Sequence, residues 1–152
     1  MRFASLKSKC FGFYCLFLIS ACSGIQNGNQ LSESDTKRLK KIGLIERNEK
    51  IIKFYSVYKK DIAGSFFTNR RMASYWLDKD KPKKTSIHFT YYKDIMAIDT
   101  NYMRNSFTYS PYMEVTKIDS TKFKVFAGGK HRDVKLFFEE AIAKWQDSRT
   151  LK

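Results

Sequence analysis

Beyond residue 22 the chain has no cysteine. Its three, Cys10, Cys15 and Cys22, all fall at the start of the 152 residues. The remainder can form no disulfide and no thiolate-held metal site, so its stability has to come from apolar packing. Histidine is almost as scarce: His88 and His131 are the only two, and neither has metal-ligand spacing with a partner. His88 reads as a strand residue satisfied by a neighbour, and His131 as lying near the start of a helix. Acids are outnumbered, 15 against 29 basic residues, which leaves a net charge of +14 at pH 7. No Ser/His/Asp arrangement, P-loop or glycine-rich dinucleotide fingerprint occurs, and Gly128-Gly129 reads as a turn. Asp94, Asp99 and Glu114 are acids whose pairing in space the sequence leaves open. These absences point to a protein that is not an enzyme, with no cofactor and no metal.

What the chain does have begins at its start. Arg2, Lys7 and Lys9 precede a ten-residue apolar run, 10–19, and no acid occurs before Glu33. The small residues Ser20 and Ala21 follow, and the chain then turns polar. A basic segment, an apolar segment and a small-residue cleavage region are the three parts of an export signal. The run is about half of the roughly 20 residues needed to span a bilayer. Ile19-Ser20-Ala21-Cys22 resembles the lipobox of bacterial lipoproteins, with every position of the motif filled. The resemblance implies cleavage between Ala21 and Cys22, a diacylglyceryl group on the Cys22 thiol and an acylated (palmitate-type) new amine. Two chains suffice for stable attachment, since each buried methylene contributes about 0.8 kcal/mol. The implied location is the cell membrane or outer membrane, with the domain on the periplasmic or extracytoplasmic side. Ser23 after the cysteine favours the periplasmic leaflet of an outer membrane where one exists.

Removing residues 1–21 takes away three basic residues and no acid, leaving 131 residues with a net charge of +11. That length suits one domain. The charge suits anionic partners such as phospholipid, lipopolysaccharide or an acidic envelope protein, and export argues against nucleic acid. Residues 22–31 read as a lipidated flexible tether, and 32–152 as a single domain. Residues 32–45 read as a short helix with Ser34 as its N-cap and Gly43 as its stop, its basic face a possible membrane contact or a solvated surface.

From Glu49 the apolar period changes to two. Strands are expected at 51–58, 65–68, 71–77, 85–92, 95–103, 112–118 and 122–126, seven in all, with a polar loop at 78–84. Val134, Phe137, Phe138, Ala141, Ile142 and Trp145 then recur at helical spacing, which predicts an amphipathic C-terminal helix covering one end of the β-structure.

Seven strands closed by one such helix resemble the pleckstrin-homology-like group, including its GRAM-type and bacterial versions. The local resemblance rests on Glu49-Lys50-Ile51-Ile52-Lys53-Phe54-Tyr55, on Phe67-Thr68-Asn69-Arg70-Arg71-Met72-Ala73-Ser74-Tyr75 and on Tyr91-Tyr92-Lys93-Asp94-Ile95-Met96-Ala97-Ile98. It covers residues 46–148 and implies a mainly β fold, a curved seven-stranded sheet or barrel capped by the helix. An aromatic insertion at 105–111 departs from the pattern. The alternative is a lipocalin-like small-ligand barrel. By the same resemblance, anionic headgroups would meet Lys59 and Lys60 in the first hairpin loop and Lys79, Lys81, Lys83 and Lys84 in the next long loop, unless these are simply a solvated loop pair. A second candidate surface is the aromatic set Tyr91, Tyr92, Tyr102, Phe107, Tyr109 and Tyr112, which is either a partner-binding loop or core. The function implied is a membrane-anchored binding or scaffold module.

Overall fold

The computed structural model describes residues 24–102 and 110–150. The β-structure divides into two antiparallel sheets. The first has the order β1 (Gln26–Asn27), β2 (Ile51–Tyr55), β3 (Ala63–Thr68), β4 (Arg71–Trp76) and β5 (Ser86–Tyr91). The second has β6 (Ile95–Asn101), β7 (Tyr112–Lys117) and β8 (Lys122–Phe126). Among the described residues two α-helices accompany them, α1 (Glu33–Lys41) and α2 (His131–Thr150). The fold is therefore mainly β, with two sheets and a C-terminal helix.

Alternation along β3, β4 and β5 gives the first sheet two differently furnished faces. Phe67 and Met72 point to one side, where they join Met113, Val115 and Val125 of the second sheet and Val134, Phe137, Phe138 and Ala141 of α2 in one buried cluster. Phe67 meets Phe137 edge to face, with ring centroids 5.1 Å apart. Ile142 and Trp145 continue the same helical face and pack against the cluster while partly exposed. At its rim Lys53 of β2 pairs with Glu140 of α2 at 3.1 Å. The helix is thus built into the core between the sheets. That is not the arrangement of a lipocalin-like closed barrel, in which the helix would lie outside a cavity.

The opposite face of the first sheet carries Phe54, Phe66, Ala73 and Tyr75, and these are covered by Leu39 of α1 with Leu44 and Ile45. The start of α1 is set by Ser32 and not by Ser34. The Ser32 hydroxyl accepts from the Asp35 amide (3.1 Å), and the Asp35 carboxylate accepts from the Ser32 amide (3.3 Å), a reciprocal capping box. Ser34 is drawn instead to the Ser32 hydroxyl, 2.8 Å away. The helix stops at Gly43, which adopts φ 76°. The Gly43 amide bonds the Lys40 carbonyl and the Leu44 amide the Leu39 carbonyl, each at 3.0 Å. This termination turns Leu44 back onto the sheet beside Leu39.

Three expectations change. The described strands number eight, because β1 is formed by residues expected to be tether. Gln26 and Asn27 pair with Phe54 and Lys53 on the free edge of β2. A 3₁₀ turn, Gly28–Gln30, follows directly, and the Gln30 side chain accepts from the Asn27 amide at 2.7 Å. Gly28 passes so close to β2 that a Cβ there would stand 1.8 Å from the Ile51 carbonyl oxygen. Next, β2 ends at Tyr55, three residues early, because the Ser56 hydroxyl donates to the Ala63 carbonyl (2.6 Å) and starts the turn. Finally, β3 starts at Ala63 and absorbs two residues expected in that turn. A two-residue strand has no period to read, and a serine-driven stop depends on a partner seven positions away.

Two substitutions test this packing. Phe137→Ala is expected to cost about 3–5 kcal/mol in urea-induced unfolding. Gly28→Ala is expected to cost about 1–3 kcal/mol through the forced shift of the backbone against β2. Hydrogen exchange should then show faster exchange at the residue 26–30 amides, with the α2 amides unchanged.

Candidate functional site

The two lysine loops meet at one end of the first sheet. Lys79 of the β4–β5 loop pairs with Asp61 of the β2–β3 loop at 3.0 Å, which ties one loop to the other. Lys60 lies 3.6 Å from Asp35 of α1, and Arg38 lies 3.2 Å from the same carboxylate. Hydrogen bonding to Lys79 holds the Asp61 carboxyl below the usual aspartate range. Burial pushes the Asp35 carboxyl upward, but the hydrogen bonds from Ser32, the charge of Lys60 and the hydrogen bond from Arg38 outweigh it and leave it lowered. The Tyr75 hydroxyl donates to the Lys60 carbonyl and pins the loop from below, and burial pushes that hydroxyl's pKa up. In the β4–β5 loop the Asp78 carboxylate accepts from the amides of Asp80 (3.0 Å) and Lys81 (2.8 Å), and a 3₁₀ turn, Pro82–Lys84, follows.

Of the six lysines singled out from sequence, Lys60 and Lys79 are therefore spoken for by carboxylates. Lys59, Lys81, Lys83 and Lys84 are exposed, and none makes an ion pair among the described residues. Beside them, Val57 and Tyr58 are 61% and 59% exposed. A groove of about 440 Å³ runs between α1 and the β2–β3 loop, lined by Arg38, Tyr58, Lys59 and Lys60 together with Gly24 and Gln26. The first described residue of the chain thus lies against the lysine loops. Cys22 and the cleavage position after Ala21 lie outside the described residues.

A second polar cluster lies at the other end of the same hairpin, and sequence reasoning missed it. Arg71 is only 2% exposed. It donates to Glu46 (2.6 Å) and the Tyr91 hydroxyl (3.0 Å), forms an ion pair with Glu49 (2.9 Å), and its guanidinium sits 4.3 Å from the Tyr91 ring centroid and 4.9 Å from that of Phe89. Glu49 also accepts from the Thr68 hydroxyl at 2.5 Å. That hydroxyl in turn accepts from the amides of Arg70 and Arg71, each at 2.9 Å. Arg70 and Tyr91 both donate to Glu46. The Tyr91 hydrogen bond, aided by both arginines, holds the Glu46 carboxyl below its ordinary value. Arg71 thereby clamps the segment after α1 to the β3–β4 hairpin, a structural role. The signal in the sequence was the Glu46/Glu49 pair set against Arg70-Arg71.

The third feature is a cleft of about 490 Å³ between the two sheets, with no wall from α2. Its floor is a row of small polar residues that face inward where the strands alternate. Ser65 pairs with Ser74, and Ser74 with His88, across β3, β4 and β5. Trp76, Phe123 and Phe126 stand around them. The His88 ring stacks on Phe123 at 5.9 Å.

The aromatic set divides. Tyr92 is buried and donates to the Thr68 carbonyl at 2.5 Å. Tyr102 packs on Phe138 and Tyr112 on Phe126. Phe107 and Tyr109 lie outside the described residues. Asp99 and Glu114 do face each other across β6 and β7, but Glu114 is taken by Lys122 at 2.8 Å, which lowers its carboxyl pKa. Asp94 contributes its backbone carbonyl to the Ile118 amide. No group of three metal-ligating side chains occurs among the described residues, and no described helix is long and apolar enough to cross a membrane.

No protein-family model matches the chain, and no curated protein matches its sequence. Among solved structures it is similar to a DUF1696 family protein with a pleckstrin-homology domain from Shewanella loihica PV-4. The TM-score is 0.53 at 19% identity, over 80% of this chain and 95% of that one. This likeness supports a pleckstrin-homology-like domain and shows the fold alone.

Two outcomes test the clamp. Arg71→Ala leaves Glu49 buried without its cation and is expected to cost about 3–5 kcal/mol, whereas Arg71→Met combined with Glu49→Gln recovers most of that loss. Glu46 has a folded pKa below its ordinary 4.5, so the stability it adds is complete above that pH and is lost as the pH falls through the folded value. Unfolding curves at and below pH 4.5 should therefore fall more steeply for the native chain than for Glu46→Gln.

Proposed function

We propose that this chain is a lipid-anchored, non-enzymatic binding module of a bacterial envelope, held through Cys22 and presenting its lysine loops to an anionic membrane surface. The observation that carries the reading is the position of Gly24 in the groove beside Lys59 and Lys60. Only Ser23 lies between Cys22 and Gly24, and two residue steps reach at most about 7 Å. A lipid on Cys22 would therefore hold this end of the domain against the bilayer, with no long tether between them. Lys59, Lys81, Lys83 and Lys84 would then meet headgroup phosphates, each contributing about 1 kcal/mol where anionic lipid is present. Tyr58 is suited to the interface, with an apolar ring and a polar tip. The domain would face the periplasmic or extracytoplasmic side, and envelope proteins gathered at that surface are further partners of this reading.

The test is co-sedimentation of the unacylated chain, from Ser23 onward, with vesicles. Binding is expected to vesicles rich in anionic phosphatidylglycerol, to weaken steeply between 50 and about 200 mM salt, and to be lost with neutral phosphatidylcholine. Replacing Lys59, Lys81, Lys83 and Lys84 by Ala should reduce affinity by about two to three orders of magnitude, from the roughly 1 kcal/mol each contributes. Unchanged binding by that variant would rule out these loops as the membrane contact.

A further inference from the structure

We infer that the cleft between the two sheets is a binding site for an uncharged, largely apolar ring compound carrying one or two hydroxyl or carbonyl groups. This goes beyond the membrane contact and does not depend on it. Inward positions of a β-sandwich are expected to be apolar, as Phe67 and Met72 are one row nearer the helix. In the next two rows, β3, β4 and β5 instead place Ser65, Ser74 and His88, then Ala63, Trp76 and Ser86. Serine at these positions removes the volume that a larger apolar side chain would fill, and a space of about 490 Å³ results. That is within the ~300–1,000 Å³ range of small-molecule sites.

The polar atoms of this floor decide the ligand class. The Ser65 hydroxyl accepts from the Phe126 amide at 3.0 Å, which leaves its own hydrogen to donate. The side chains of Ser74, Ser86 and His88 make no hydrogen bond to any described residue. Ser74 is nevertheless 8% exposed. Ser86 is half-buried and His88 is exposed at the rim; an occupant without polar atoms would cover these groups and strand them. A bare hydrocarbon chain therefore fits poorly. A charged ligand fits poorly too, because the one ionised group in the lining, Lys124, is drawn over the Tyr112 ring at 4.1 Å. A polyhydroxylated sugar would leave most of its hydroxyls facing aromatic walls. What remains is a ring that stacks on Trp76, Phe123 or Phe126 and presents one or two polar groups to Ser74, Ser86 and His88. Trp76 and Phe126 are 43% and 39% exposed at the mouth, ready to be covered.

The test uses the full chain with 2-naphthol, which has two apolar rings and one hydroxyl and is neutral at pH 7. With only two histidines in the chain, ring-proton NMR resolves His88 once His131→Gln assigns the other signal. Addition of 2-naphthol is expected to shift the His88 signals saturably, with one equivalent bound by calorimetry. Naphthalene-2-sulfonate, dodecane and methyl glucoside should each bind at least tenfold more weakly. Ser86→Leu, at the half-exposed mouth, fills the cleft without reaching the buried core and should weaken 2-naphthol at least tenfold. Ser74→Ala should weaken 2-naphthol while leaving naphthalene unchanged. Absence of saturable binding, equal or tighter binding of the sulfonate, dodecane or the glucoside, or full binding to folded Ser86→Leu would each overturn the inference.

Discussion

The structure depends on the contact between one helix and two sheets. Phe137 and Phe138 of α2 enter the space between the sheets, and Phe137 closes edge to face on Phe67. Neither sheet could bury its inner face alone, because the second has only three strands and the first is divided in its covering between α1 and α2. With the interior plugged by α2, the inward rows farther from Phe67 are released from packing duty. There the floor turns to serine and histidine and the cleft forms. The helix thus fixes which part of the sandwich is solid and which part is open.

Charge is distributed in keeping with that division. The buried Arg71 is met by two carboxylates, a tyrosine hydroxyl and two ring faces, which offset much of its cost of burial locally, while its Nε finds no hydrogen-bond partner among the described residues. It serves to fasten the chain after α1 to the β3–β4 hairpin. At the opposite end of that hairpin, Asp35 and Asp61 neutralise Lys60 and Lys79, which shapes the loops. The remaining lysines of those loops project free of carboxylates among the described residues, and they set the sign of that surface. A net charge of +14 is therefore partly structural and partly available.

The C-terminal helix was fully legible in the sequence, because six apolar residues at i, i+3, i+4, i+7, i+8 and i+11 leave no other face to bury. The main strands were legible from their period of two. What escaped depended on contacts distant in sequence. Gln26–Asn27 becomes a strand only because β2 offers an open edge and Gly28 permits the close approach. The pairing of Arg71 with Glu49 joins residues 22 positions apart. The cleft was written in Ser65, Ser74 and Ser86, but serine in a strand carries no sign of which face it occupies until the neighbouring strands are in register. The lysine loops were identified residue by residue, while their division into paired and available cations required Asp35 of α1, an element that local reading left separate.

The central claim is that the β2–β3 and β4–β5 loops face the membrane surface. Spin labels report this most directly on the membrane-bound protein, in which the lipid proposed on Cys22 would leave an introduced thiol free to carry the label. A label at Lys83→Cys should be relaxed strongly by a paramagnetic chelate carried on lipid headgroups, and one at Gln146→Cys on α2 only weakly. Equal relaxation at both positions, or the reverse order, would contradict the account.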